Sequence, residues 1–512
     1  MARLTSWLSR VFPLALLPLA VGAFAQQEIQ PQARDAALVN RVTWGATPAE
    51  LAGAQKMGID RYLQAQLHPT APDKLPAAIQ RHVDALSISR QSDEDARTIQ
   101  IAIRQKAKEL PEDEKLQANR EARQIANQRA ADVNARALWR AVYGNNQLRD
   151  QMTWFWMNHF NVNFQKGDIG VFLSQYEDRA IRPHALGKFR DLLVATMQSP
   201  AMLIYLDNTQ NSAGKINENY ARELMELHTL GVGGGYSQNN VQELARILTG
   251  LGVGSTLDPP KVKPALRGQI VQQGYFLFNP ARHDYGTKMF LGHTIGGGGM
   301  REAEQAADLL ARQPATAAFI SRKLAAYFVG DAPPASLVDK MRRTFLEKDG
   351  DISATLQTLF ASPEFAASLK HGVFKDPVHY VYSSLRLTYD GMPPITNSQA
   401  GVVLLKRLGQ PLNQRLTPDG YPLAQSDWSG SGQMTMRFEV ANFIASAPQV
   451  LYRESPDDRP KNVPQPPNLL KTHDSNSLFS MLSPRTREVI AQAKSTVLAN
   501  TYLLASPEFM RR

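Results

Sequence analysis

Not one of the 512 residues is a cysteine, so no disulfide can staple this chain and no thiolate can hold zinc or an iron–sulfur cluster. The fold must therefore rest on what the chain buries. The material for that is present, since 43% of the residues are hydrophobic and 20% charged, as in ordinary globular proteins. A chain of this length buries enough surface to dispense with staples, in one large core or in two or three smaller ones.

The first 25 residues read differently. Arg3 and Arg10 flank a polar start, "VFPLALLPLAVGAFA" is a short apolar run, and Ala23-Phe24-Ala25 gives a small-x-small pattern before Gln26. These are the three parts of a secretory signal peptide. The expectation is cleavage near Ala25-Gln26 and export to the periplasm or the extracellular space. The apolar run is too short and proline-broken to span a bilayer, and no transmembrane segment is expected in the mature chain. The formal charge of +10 loses two units with Arg3 and Arg10, and the rest is spread out. A basic surface of that kind suits polysaccharide or another envelope component as partner. Nucleic acid is not expected, because no binding motif is present.

Helical periodicity governs most of the remainder. Two or three short helices open the mature chain. Asp93 to Arg140 is rich in Ala, Gln, Glu, Lys and Arg, broken once at Pro111, and predicts long charged helices with solvated faces. Leu148 to Met202 is apolar and aromatic. "NENYARELMELHTLGVGGGY" (217–236) predicts one helix ended by glycines, with Ser237 or Asn239 capping the next. Glycines then multiply, and "QGYFLFNPARHDYGTKMFLG" has the aromatic alternation of a short hairpin. The fold class is thus mainly α, a large multi-helix domain with a small β-hairpin and Gly-rich insertion. The predicted organisation is signal peptide 1–25, main helical domain 26–453, a Pro-rich exposed linker 454–475, and a C-terminal helix within 476–512 packing back on the main domain. "LFASPEF" (359–365) recurs as "LLASPEF" (503–509); Ser-Pro-Glu after an apolar helix is capping chemistry.

Six ordered stretches, "FWMNHFNV", "RPHALGKFRDLLVATMQSPAMLIYLDN", "NENYARELMELHTLGV", "ARILTG", "HDYGTKMFLG" and "LLASPEFMRR", resemble the DUF1800 family of large secreted or envelope bacterial proteins, from about Val39 to the C-terminus. The resemblance implies a largely helical fold and an export route. It carries no established reaction, substrate or catalytic residue.

Candidate chemistry has to come from the residues. At 100° per residue, Tyr220, Leu224, Leu227 and Gly231 form one stripe on the 217–236 helix, with Glu223 and Glu226 together on one flank and His228 on the other. That angular gap argues against a metal held by Glu223 and His228. Glu218 and Arg222, four apart, predict an ion pair, and Arg222 can also reach Glu226. His159, at the end of the Trp154–Trp156 aromatic helix, and His283-Asp284, in a turn, are the other polar candidates. If His159, Glu223, Glu226, His283 and Asp284 converge, they form either a general acid and base site for glycosidic bonds or a mixed nitrogen and oxygen set for a metal, with His159, His283 and Asp284 as ligands. The identity of any cofactor stays open. Arg222, Trp156, Tyr236 and Trp428 are candidate substrate contacts, aromatic rings being platforms for sugars. "GVGGGY" and "GHTIGGGGM" follow no strand in a phosphate-binding pattern, and no Gly-x-Ser-x-Gly elbow occurs. Two function classes emerge: an envelope or extracellular polysaccharide hydrolase, and a non-enzymatic scaffold or binding protein in which Glu218, Arg222, Glu223 and Glu226 are an ion-pair network. A metal-binding helical protein is a third.

Overall fold

The structure, a computed structural model, describes residues 30–455, 457–473 and 477–512. The predicted signal peptide and its cleavage junction lie outside the described residues. Helix accounts for 61% of the chain and strand for 4%, which makes the protein mainly α as the periodicity requires.

Two hydrophobic cores share one long helix. Glu112–Tyr143 runs 32 residues, starting at Pro111, whose extended backbone separates it from Asp93–Ala107. Ala130 and Val133 of this helix enter the first core, while Ala135, Leu138 and Trp139 enter the second. The first turns are solvated, as the charge pattern predicts. From Arg129 onward the charges turn inward instead. Arg129 is buried against Asp93, and Arg136 and Arg140 meet Glu177 and Asp178. The apolar residues on both sides of the helix give it two buried faces, and the basic side chains between them are satisfied only by partners inside.

The first core centres on Trp156, Phe160, Phe172 and Phe189, all unexposed. Each such side chain contributes about 1.5–3 kcal/mol when withdrawn from water. Two small antiparallel sheets flank it. Phe276–Phe278 lies between Leu251–Val253 and Val271–Gln273, and Lys288–Phe290 pairs with His293–Ile295. The segment predicted as a hairpin therefore carries one strand of each sheet. Leu291 (φ 48°) and Gly292 (φ 80°) turn the second hairpin in the left-handed region, the geometry that two-residue hairpin loops need.

The second core gathers Pro377–Thr388, Ser398–Arg407, Ser431–Ser446 and Thr496–Leu504 around the end of the long helix. Between the main body and the last helices, the described residues of the Pro-rich tract form no helix or strand before Leu469–His473, where Leu469 is buried. Both copies of the repeated heptapeptide cap in the same way. Ser362 Oγ accepts from Phe365 N at 3.0 Å, and Ser506 Oγ from Phe509 N at 3.2 Å. Only the first opens a helix, Pro363–Ser368. The second makes a turn, and its chain then bridges Phe374 through Arg511. Among the described residues no helix is long and apolar enough to cross a membrane.

Candidate functional site

The helix that follows Glu218 and carries Arg222, Glu223 and Glu226 is shorter than its sequence suggests. It covers Asn219–Glu226, and the turn after it widens. Leu227 N and His228 N both donate to the Glu223 carbonyl, at 2.9 and 3.1 Å, and Leu230 N donates to Met225 at 2.8 Å. The first is the last ordinary four-residue bond and the other two span five residues, so the count of 100° per residue stops applying after Leu227. Tyr220 and Leu224 are buried as the stripe predicts. His228 is carried inward to full burial, with its ring 5.9 Å from that of His159. Burial and the Lys323 charge push its pKa down to about 3, which keeps the ring neutral.

Among the described residues, Glu218 is the one of the three glutamates with an ion pair. Arg222 donates to it at 2.9 Å and to Gln238 at 3.0 Å, and Gln238 donates to Glu218 at 2.7 Å. This cross-link ties the helix to Gln238–Ile247, which Ser237 caps with Asn240 in a reciprocal box. Arg222 is thereby drawn away from Glu226. Glu223 and Glu226 are half-buried and make no ion pair among the described residues. Burial raises the Glu223 pKa above its ordinary value, the Glu226 charge raises it further, and Arg222 offsets part of this. Tyr236, half-buried, lies within reach of the same charges.

A loop absent from the predicted site completes this flank. In "LTPDGYP" (416–422), Asp419 is exposed and repels Glu223. The loop is held by the amides of "MNHFNV". Asn158 Nδ2 donates to the Tyr421 carbonyl at 2.9 Å while Tyr421 N donates to Asn158 Oδ1 at 2.7 Å. Asn161 donates to the Arg415 and Thr417 carbonyls at 3.1 and 2.9 Å. Tyr205 adds a bond to the Leu416 carbonyl at 3.0 Å. Gly420, at φ 77°, crosses over Asn158 so closely that a Cβ would stand 2.1 Å from the Asn158 carbonyl oxygen, so no other residue fits there.

Behind the flank stands a second pair that spacing could not reveal. His159, the last residue of Gln147–His159, donates from Nε2 to the His228 carbonyl at 3.0 Å, which leaves Nδ1 to accept from Lys323 Nζ at 2.9 Å. Burial, then the Lys323 charge, holds His159 well below the usual imidazole range, consistent with that neutral tautomer. Lys323 comes from Pro314–Val329 and is partly buried; burial pushes its pKa down to about 8 against the pull of Asp419. The unfolded chain binds that proton more tightly, so stability is expected to rise with pH from about 8 toward the ordinary lysine value of about 10.5. Urea unfolding at about pH 7.5 and about pH 9.5 should show an increment in the native protein that Lys323→Met lacks.

His283 and Asp284 do not join this group. His283 Nδ1 donates to the Thr249 carbonyl at 2.8 Å, and its Nε2 faces Glu302 at 3.3 Å. Glu302 also accepts from Lys288 Nζ at 2.5 Å and from Gly298 N at 2.9 Å. Arg246 clamps Asp284 with bonds at 2.8 and 3.3 Å, and this holds Asp284 below the usual carboxylate range. The arrangement fastens the hairpin to the helices. Among the described residues no three His, Asp or Glu side chains stand close enough to share a metal ion. Trp156 is fully buried, donating to the Ala185 carbonyl, and Trp428 is 6% exposed, donating to Pro422. Neither offers an open ring face to a sugar, so of the four candidate contacts Arg222 and Tyr236 remain at the surface.

Two fused helical cores, a small β insertion and a flank with two glutamates that make no ion pair among the described residues define a mainly helical protein. The chain belongs to the DUF1800 family, described as a protein of unknown function, whose sequence model matches residues 37–511. No curated protein and no solved structure matches it.

Proposed function

We propose that this is an exported hydrolase that cleaves glycosidic bonds of envelope or extracellular polysaccharide, with Glu223 as general acid and Glu226 as its carboxylate partner. One observation carries the reading: Glu223 is left without an ion pair while burial and Glu226 together favour its protonated form. Stability alone does not call for a half-buried carboxylate kept from an arginine four residues from Glu226, and two carboxyl groups in different environments are the means of acid and base work at neutral pH. Tyr236 at the edge offers an aromatic face. His159 acts through Lys323 as a positioning residue, and His283 and Asp284 hold the adjoining hairpin. Export rests on the pattern of residues 1–25.

The test is release of reducing ends from peptidoglycan, chitin and xylan by the purified mature protein. A general acid works protonated, so activity falls as pH climbs through the Glu223 pKa. Removing the Asp419 charge, which also raises that pKa and takes no part in the chemistry, lowers it, and Asp419→Asn should move the alkaline limb to lower pH. No release from any polymer, or an unmoved limb, defeats the reading. The scaffold reading draws support from the Glu218–Arg222–Gln238 cross-link, and it requires polymer binding without cleavage.

A further inference from the structure

A cavity of about 210 Å³ lies away from that flank, where Pro31–Val42, Pro377–Thr388 and the segment after Leu503 meet. Its walls are largely apolar, including Leu387, Phe479, Leu482, Leu503 and Phe509. Its charged lining is basic, with Lys370, His371, Lys375, Arg511 and Arg512 against the single acid Glu508. That acid is already used, since it accepts from Ser483 N and Thr486 Oγ1 at 3.0 Å. The two arginines are also engaged. Arg511 donates to Gln425 at 3.2 Å, and Arg512 to Gln151 at 3.0 Å and to the Tyr327 carbonyl at 2.7 Å.

Lys375 differs from all of them. It is only 2% exposed, its Nζ sits 3.7 Å from the centroid of the Phe509 ring, and its side chain makes no hydrogen bond or ion pair among the described residues, although its backbone N donates to the Met510 carbonyl and its carbonyl accepts from Arg437. An ammonium withdrawn from water with only a ring face for company is a large uncompensated desolvation. Burial, with Arg437 and Arg512 nearby, drives Lys375 well below the ordinary lysine range. An anion in the cavity would reverse that, and the apolar walls call for hydrocarbon beside the charge.

We propose that this cavity binds a single-chain carboxylate, its acid group on Lys375 Nζ and its hydrocarbon body against Phe479, Leu482 and Leu503. The volume sets the size. An apolar cavity of about 150 Å³ takes a benzene ring, so this one has room for a short acyl chain and none for a two-chain lipid. The site shares no residue with the Glu223 flank and does not depend on the hydrolase reading.

The probe is octanoate, titrated calorimetrically into the purified mature protein, with octanol as the uncharged control. Octanoate should bind, octanol should bind about tenfold or more weaker, and Lys375→Met should lose about the same factor for octanoate while leaving octanol unchanged. Lys375→Met should also melt no lower than the native protein, because it removes an unpartnered buried charge. Equal affinity for octanoate and octanol overturns the proposal, as does octanoate binding undiminished in Lys375→Met or no binding to the native protein at millimolar ligand. If the variant does not fold, the comparison of octanoate with octanol on the native protein decides alone.

Discussion

Glu302→Ala is expected to lower the unfolding free energy by about 3–5 kcal/mol, the loss that follows when one member of a buried ion pair is removed and the other stays. Glu302 and Lys288 are both unexposed and meet at 2.5 Å, with the fully buried ring of His283 at 3.3 Å from the other carboxylate oxygen. Without the carboxylate, the Lys288 ammonium keeps only the Asp284 carbonyl, and Gly298 N loses its acceptor. Urea unfolding of the variant measures the effect, and a loss below about 1 kcal/mol would show that water reaches Lys288. Pairing Glu302→Leu with Lys288→Met should recover most of the loss, since a buried pair replaced by apolar groups is often neutral. The pH dependence has a definite sign. Burial alone would raise the Glu302 pKa, but His283 and Lys288 bring it below its ordinary value. The contribution is therefore present above the unfolded carboxylate pKa and lost as pH falls through the folded one. Glu302→Gln should lack that acid-side loss.

Glu302 also marks the reach of local sequence pattern. "GGGGMREAEQAA" presents it as an acid in the first turn of a helix, an ordinary preference, and nothing local ties it to His283 nineteen positions earlier. The helical class, the break at Pro111, the capping by Ser362 and Ser506, and the Glu218–Arg222 pair were all legible, because each depends on residues within a few positions of one another. His228 was misplaced for a physical reason: the widened turn after Glu226 changes the angle per residue just where the count was needed. Lys323 and Asp419 were missed because their significance comes from burial beside His159 and from a loop that Asn158 and Asn161 hold from far along the chain. A signal for that loop did exist. "LTPDGYP" pairs a turn with a glycine that must take a positive φ, and the density of asparagine in "MNHFNVNF" foretold a backbone in need of amide partners.

Glu223→Gln is expected to reduce polymer cleavage about 10²–10⁴-fold, the contribution of a positioned general acid. Glutamine keeps the size of the side chain and a donor but has no proton to give. Because Glu223 has no ion pair to lose, stability should change little. Glu218→Gln is the matched control on the same helix. It breaks the partly exposed pair with Arg222, worth about 0–1 kcal/mol, and should cost the rate far less than Glu223→Gln, since Glu218 itself is neither candidate carboxylate and the freed Arg222 acts on Glu223 only as a neighbouring charge. The two substitutions change a carboxyl group to an amide five positions apart, so a general electrostatic effect on an acidic or basic polymer would move both rates in the same direction. A role specific to proton transfer moves only one. Equal losses would therefore reassign the flank to binding and return Glu223 and Glu226 to the surface of a scaffold, whereas a loss confined to kcat of Glu223→Gln, with KM unchanged, is what a proton given by that carboxyl group in the transition state requires.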